Sequence, residues 1–182
     1  MNNIKNQHNI KILFSKKKIA HRITELGKSI NKYYYKKNST IILIGLLKGS
    51  FIFIADLCRK INFSNKIDFI TISRYGNNIK SNKKIKILKN LDENIHSKHV
   101  LIIEDIIDSG NTLNQIQKIL LLQQPKSISI CTLLDKPNRR EVDIYAKWIG
   151  FTVPDIFMVG YGIDYAQQYR NLPYLGKITK KI

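Results

Sequence analysis

The segment VLIIEDIIDSGNTL, residues 100–113, puts three carboxylates (Glu104, Asp105 and Asp108) within five positions of a 182-residue chain that has only 13 acidic residues. They follow an apolar run of strand length and precede Ser109, Gly110, Asn111 and Thr112, which open an amphipathic stretch. Small residues, a glycine and a following helix are what a phosphate needs. Backbone N–H groups at a helix N-terminus point at the anion, and the glycine lets the chain approach it closely. Glu104 and Asp105 stand just before that cradle, where they can accept hydrogen bonds from sugar hydroxyls. A simpler alternative is an ordinary N-cap formed by Asp108 or Ser109, but a cap accounts for one acid and not for three beside a glycine.

These residues must be held by regular elements, and the apolar pattern supplies them. Ser15 is placed to cap a helix running to about Tyr35, with Ile19, Ile23, Leu26 and Ile30 at helical spacing. Residues 41–47 are a continuous apolar run, as expected of a strand covered on both faces, and Gly49-Ser50 opens a second helix. Residues 67–73 and 85–88 read as strands around a polar, exposed and mobile loop at 74–84. Strands at 99–104 and 126–134 flank a helix over 112–123. This alternation predicts an α/β fold, a central parallel sheet with helices on both faces, in one domain of residues 1–182. Residues from about 135 to 182, rich in Gly, Pro and Tyr, are expected to form a small lobe over the carboxyl ends of the strands, where open α/β sheets bind ligands.

Composition excludes several classes. With 43% hydrophobic and 24% charged residues the chain is globular rather than disordered. No apolar run approaches the length of a membrane span, and the first residues carry no apolar leader core, so a cytoplasmic protein is expected. Cys58 and Cys131 form no CxxC pair and read as buried thiols in a reducing compartment. The net charge of +18 alone suggests a polyanionic partner. Half of it comes from the first forty residues, where ten Lys and Arg face Glu25 alone. The accompanying excess of Ile, Asn and Lys, all AT-rich codons, favours compositional drift over a nucleic-acid face. A positive field still attracts phosphorylated substrates.

Two apolar residues, two acids, two apolar residues, Asp and then Ser-Gly-Asn-Thr resemble the signature with which type I phosphoribosyltransferases bind phosphoribosyl pyrophosphate (PRPP). Three further segments resemble the hypoxanthine-guanine branch of that family, and the resemblance covers nearly the whole chain. In GLLKGS, residues 45–50, it implies that Lys48 and Gly49 bind pyrophosphate after a cis peptide between Leu47 and Lys48. In LLDKPNRR, residues 133–140, it implies that Lys136 donates to the oxygen at purine position 6 and that Arg139 or Arg140 faces pyrophosphate. In PDIFMVGYGIDY, residues 154–165, it implies that Phe157 stacks on the purine and that Met158, in place of the usual valine, binds the base through its backbone. Asp164 matches a carboxylate that holds Mg²⁺ on pyrophosphate, and Arg170 a pyrophosphate contact. The mobile loop departs from the family, since Ser73-Arg74-Tyr75 puts Arg74 where a serine is usual.

The resemblance therefore implies a Mg²⁺-dependent transfer of the phosphoribosyl group from PRPP to N9 of a 6-oxopurine. Asp108 would take the purine proton, Glu104 and Asp105 would bind the ribose hydroxyls and their metal, and Ser109, Gly110, Asn111 and Thr112 would cradle a phosphate of PRPP. Homodimers or homotetramers are the expected assembly. Hypoxanthine and guanine present the same oxygen to Lys136 and stay unresolved. Two alternatives are a sister enzyme using xanthine with guanine, and a PRPP-sensing regulator of the same fold that binds nucleic acid.

Overall fold

The computed structural model describes residues 9–35, 40–74 and 85–179. In chain order its elements are β1 (Asn9–Phe14), α1 (Lys16–Tyr34), β2 (Ile41–Leu47), α2 (Phe51–Cys58), β3 (Asn65–Arg74), β4 (Ile85–Lys89), β5 (His99–Ile107), α3 (Asn111–Leu121), β6 (Ser127–Asp135), a 3₁₀ turn (Pro137–Arg139), β7 (Trp148–Thr152), β8 (Met158–Val159) and β9 (Leu175–Thr179). Ser15 caps α1 by accepting from the Lys18 N–H at 3.3 Å, and the stripe Ile19, Ile23, Leu26, Ile30 and Tyr34 is buried.

Six strands form the main sheet in the order β4-β3-β2-β5-β6-β7. All neighbours are parallel except the β3–β4 edge pair. Side chains along a strand alternate between faces, so each covered strand feeds two cores. Ile41 and Leu43 of β2 pack with α1 and α2, whereas Ile42, Ile44 and Leu46 pack with Leu113, Ile116 and Leu120 of α3. Helices thus cover both faces, as the apolar runs predict. From β2 the chain leaves toward β3 on one side and later returns as β5 on the other. The carboxyl ends of β2 and β5 therefore bound the crevice at which such sheets bind ligands.

Two features depart from the reading of the sequence. Trp148–Thr152 is not part of a lobe but the last strand of the main sheet, paired in parallel with β6. Two of its carbonyls are occupied, since Arg22 of α1 donates from Nε to Gly150 O at 2.7 Å and from a terminal nitrogen to Ile149 O at 2.8 Å, which helps to blunt the edge. Conversely, the small three-stranded antiparallel sheet, in the order β1-β9-β8, borrows its outer strand from the N-terminus. Asn9–Phe14 is a short strand with several exposed side chains, and its partner lies at the other end of the sequence. Cys58 is only partly buried, unlike Cys131.

The β3–β4 edge is pinned by a buried acid. Asp68 is 4% exposed and accepts from the N–H groups of Phe69, Asp92 and Glu93 at 2.7–2.9 Å, with Lys89 Nζ at 3.3 Å. Burial works against its charge, but these donors outweigh it and hold the carboxyl below its ordinary 3.8. A depressed pKa gives stability that is present above the unfolded value and lost as pH falls through the folded one. Asp68→Asn is therefore expected to be less stable than the parent at pH 7 and to lose less stability between pH 4 and pH 2. Urea midpoints at pH 7 and pH 3 check this, and equal pH dependence in the two proteins would contradict it.

Candidate active site

β5 carries Glu104 and Asp105 to its carboxyl end, and the chain then turns through Asp108 into α3. The turn depends on Gly110, the N-cap of α3, whose φ of +81° lies in the left-handed region that glycine adopts without cost. A Cβ there would fall 2.7 Å from Ile144 Cγ2, so the site also lacks room for a side chain. The N-cap of α3 is Gly110, so neither Asp108 nor Ser109 stands at the cap itself. Ser109 Oγ accepts weakly from the Asn111 backbone N–H at 3.4 Å and from its amide at 3.3 Å, and the start of α3 follows the acidic turn directly, where a helix N-terminus favours an anion.

Asp108 is half-exposed, and its carboxylate accepts from Arg139 Nε at 3.1 Å. Arg140 turns inward, donating to Asp108 O at 2.7 Å and pairing with the buried Asp135. The two arginines that sequence left equivalent thus separate. Arg140 ties the turn to the end of β6, and the half-exposed Arg139 guanidinium spans Asp108 and Asp155, the latter at 3.6 Å. Asp155 is the site residue that sequence reading passed over. It stands 3.7 Å from Lys136 Nζ and is the anion nearest to that buried ammonium. Its only signal in the sequence is its place two residues before Phe157.

Across the crevice, the chain leaves β2 through Lys48, Gly49 and Ser50, and the Leu47–Lys48 peptide is cis, as the resemblance implies. Ser50 is fully buried and donates from Oγ to Leu46 O at 2.6 Å, which fixes the loop on the strand end, while Lys48 is exposed. Gly49 packs directly on the acidic turn: a Cβ on it would lie 1.8 Å from Asp105 Oδ2. Burial pushes the Asp105 carboxyl up to about 6, against the pull of the Ile106 and Asp105 N–H groups, Arg170 and a hydrogen bond with Glu104.

The remaining residues come from the 3₁₀ turn and the small sheet. Lys136 is 7% exposed and hangs from Ile107, its N–H donating to Ile107 O at 3.0 Å. Phe157 is no core aromatic: it is 54% exposed and meets Tyr165 edge-on, ring centroids 5.3 Å apart. Met158 is buried in β8 opposite Lys177. Asp164 and Arg170 pair at 2.8 Å, and Arg170 also donates to Gly162 O at 2.8 Å. Of the three residues assigned from sequence to the loop, Ser73 and Arg74 end β3, where Ser73 pairs with Lys86 and the Arg74 backbone with Ile85, whereas Tyr75 and residues 76–84 lie outside the described residues.

No cluster of three metal-ligating side chains occurs among the described residues. The donors present are carboxylate oxygens in two places, Glu104–Asp105 and Asp164. That suits Mg²⁺, a hard cation that keeps several waters and is held by one or two carboxylates together with substrate phosphates. The burial-raised Asp105 is a carboxylate that gains from a nearby cation.

A helix N-terminus, an acidic turn and a lysine-bearing loop at a switch point of the sheet are the parts with which α/β proteins hold phosphorylated ligands. Residues 9–166 match the phosphoribosyl transferase domain, and the chain belongs to that family. It is 54% identical over 172 residues to a hypoxanthine phosphoribosyltransferase of Escherichia coli K12, covering 94% of this chain and 97% of that one. Over 177 residues it is 46% identical to the hypoxanthine-guanine phosphoribosyltransferase of Bacillus subtilis, covering 97% of each chain. Among solved structures, a hypoxanthine phosphoribosyltransferase of Staphylococcus aureus superposes with a TM-score of 0.90 at 40% identity, over 98% of this chain and 95% of that one.

Proposed function

We propose that the chain is a purine-salvage glycosyltransferase that moves the 5-phosphoribosyl group of PRPP to N9 of hypoxanthine or guanine, releasing pyrophosphate and giving IMP or GMP. The observation that carries this reading is the link between Lys136 and Ile107. It ties the main chain of Lys136, whose buried ammonium suits a purine 6-oxygen, to the strand end that leads into the turn bearing Asp108. Adenine would meet Lys136 with an amino group and leave that donor unpaired, which is strongly disfavoured in a buried site. The exposed face of Phe157 supplies an apolar platform for the ring.

In the reaction the C1–O bond to pyrophosphate breaks as the C1–N9 bond forms, and the purine gives up one proton. Asp108 accepts that proton at N7, and its charge also favours the cationic sugar of the transition state. Ser109 to Thr112 hold the 5′-phosphate, Glu104 and Asp105 the ribose hydroxyls. Lys48 and Arg170 face the departing pyrophosphate. Mg²⁺, held by Asp164 and by the Glu104–Asp105 pair, would neutralise charge on PRPP and its leaving group. Ser73, Arg74 and Tyr75 would close over the site and exclude water. Cytoplasmic location and assembly into homodimers or homotetramers complete the reading, and no helix of the described residues is long and apolar enough to cross a membrane.

A PRPP- and Mg²⁺-dependent assay across hypoxanthine, guanine, xanthine and adenine tests it. Turnover is expected with hypoxanthine or guanine, and adenine should be slower by about 10²-fold or more, as a mismatched hydrogen-bonding edge in a buried site implies. Turnover of adenine at a comparable rate, or of no purine at all, would overturn the assignment.

A further inference from the structure

Gly160, Tyr161 and Gly162 all have positive φ, of +99°, +49° and +99°. For the glycines this is easy, but a bulky L-residue adopts it only when its surroundings over-determine it. Tyr161 is held from three directions. Its N–H donates to Leu172 O at 2.8 Å, its ring is 6% exposed within the core formed with α1 and α2, and its hydroxyl donates to Asp56 Oδ2. Asp56 lies on α2, the helix that begins directly after Ser50, and also pairs with Arg59.

The hydroxyl thus ties the element behind the Lys48–Gly49 loop to the turn that carries Asp164. The next residue, Gly162, is the point of contact between the two halves, since a Cβ on it would fall 2.2 Å from Gly49 O. Gly162 O accepts from Arg170, whose own carbonyl accepts from the Gly162 N–H at 2.9 Å, and Arg170 pairs with Asp164. Whatever sets Tyr161 therefore sets Gly162, Arg170 and Asp164 against Lys48 and Gly49.

We propose that Asp56 and Tyr161 form a positioning pair that fixes the pyrophosphate half of the site, acting through Gly162 without touching substrate. The idea rests on the function proposed above. The pair lies behind the pyrophosphate loop, whereas Lys136 is tied to Ile107 at the end of β5 and Phe157 precedes β8, so loss of the pair falls mainly on the pyrophosphate side.

The test compares Tyr161→Phe, Asp56→Ala, the double variant and Asp56→Asn, with steady-state kinetics and calorimetric binding of magnesium pyrophosphate. In Tyr161→Phe the KM for PRPP and the pyrophosphate Kd are expected to rise about tenfold, the size of effect that a sub-ångström misplacement near reacting groups produces. The KM for hypoxanthine should stay within about twofold. Asp56→Ala should match Tyr161→Phe, the double variant should add little to either, and Asp56→Asn, which keeps a carbonyl acceptor, should lose less than Asp56→Ala. Unchanged PRPP and pyrophosphate parameters would overturn the proposal, as would equal losses for both substrates or additive single effects. If Tyr161→Phe does not fold, the contrast between Asp56→Ala and Asp56→Asn decides by the same readouts. Absence of turnover in the parent chain would sink the proposed reaction, while pyrophosphate binding would still judge the pair.

Discussion

Asp108→Asn is expected to lower kcat by about 10²–10⁴-fold, the usual worth of a positioned acid–base group. The substitution is isosteric, and the amide oxygen can still accept from Arg139 Nε, which now meets a neutral partner. The cradle does not depend on the carboxylate, because Gly110 caps α3 and Arg140 holds the Asp108 carbonyl rather than its side chain. KM for PRPP should therefore change far less than kcat, the mark of an interaction made in the transition state. Single-turnover rates with saturating PRPP and hypoxanthine measure this. A loss below about tenfold, smaller than acid–base catalysis normally contributes, would remove Asp108 from that role.

Gly162→Ala is the second substitution with a large expected effect, for two independent reasons. At φ +99° an L-residue is strained, and its Cβ would fall 2.2 Å from a backbone oxygen, Gly49 O, which no side-chain rotation relieves. The loop after β2 and the turn bearing Asp164 must then separate. Misplacement on that scale should cost about 10²-fold in kcat/KM for PRPP. Circular dichroism and thermal melting establish that the variant is folded before its kinetics are compared. Activity within about threefold of the parent, under 1 kcal/mol of transition-state stabilisation, would mean that the contact between the two loops is not needed.

The sequence by itself determined most of the elements that build the main sheet and pointed to the residues proposed for the chemistry. The continuous apolar run of β2 and the shorter one that opens β5 announce strands covered on both faces. The helical spacing of Ile19, Ile23, Leu26 and Ile30 announces the buried stripe of α1. An acidic turn with a glycine before a helix is legible as a candidate phosphate site, because the physics of such a site is local: one turn, one helix end, one left-handed residue. What the sequence could not contain was pairing between distant segments. β1 joins β9 at the opposite end of the chain, and β7 returns to the main sheet from a stretch whose turn-forming residues hide a five-residue strand. Such short strands carry too few residues to show a period, and they form because an open edge awaits them. The charged residues of the site divide in the same way. Lys48, Lys136, Asp164 and Arg170 were legible from their motifs, whereas the inward turn of Arg140, the place of Asp155 beside Lys136 and the Tyr161–Asp56 link exist only once β6, α2 and the small sheet are packed together.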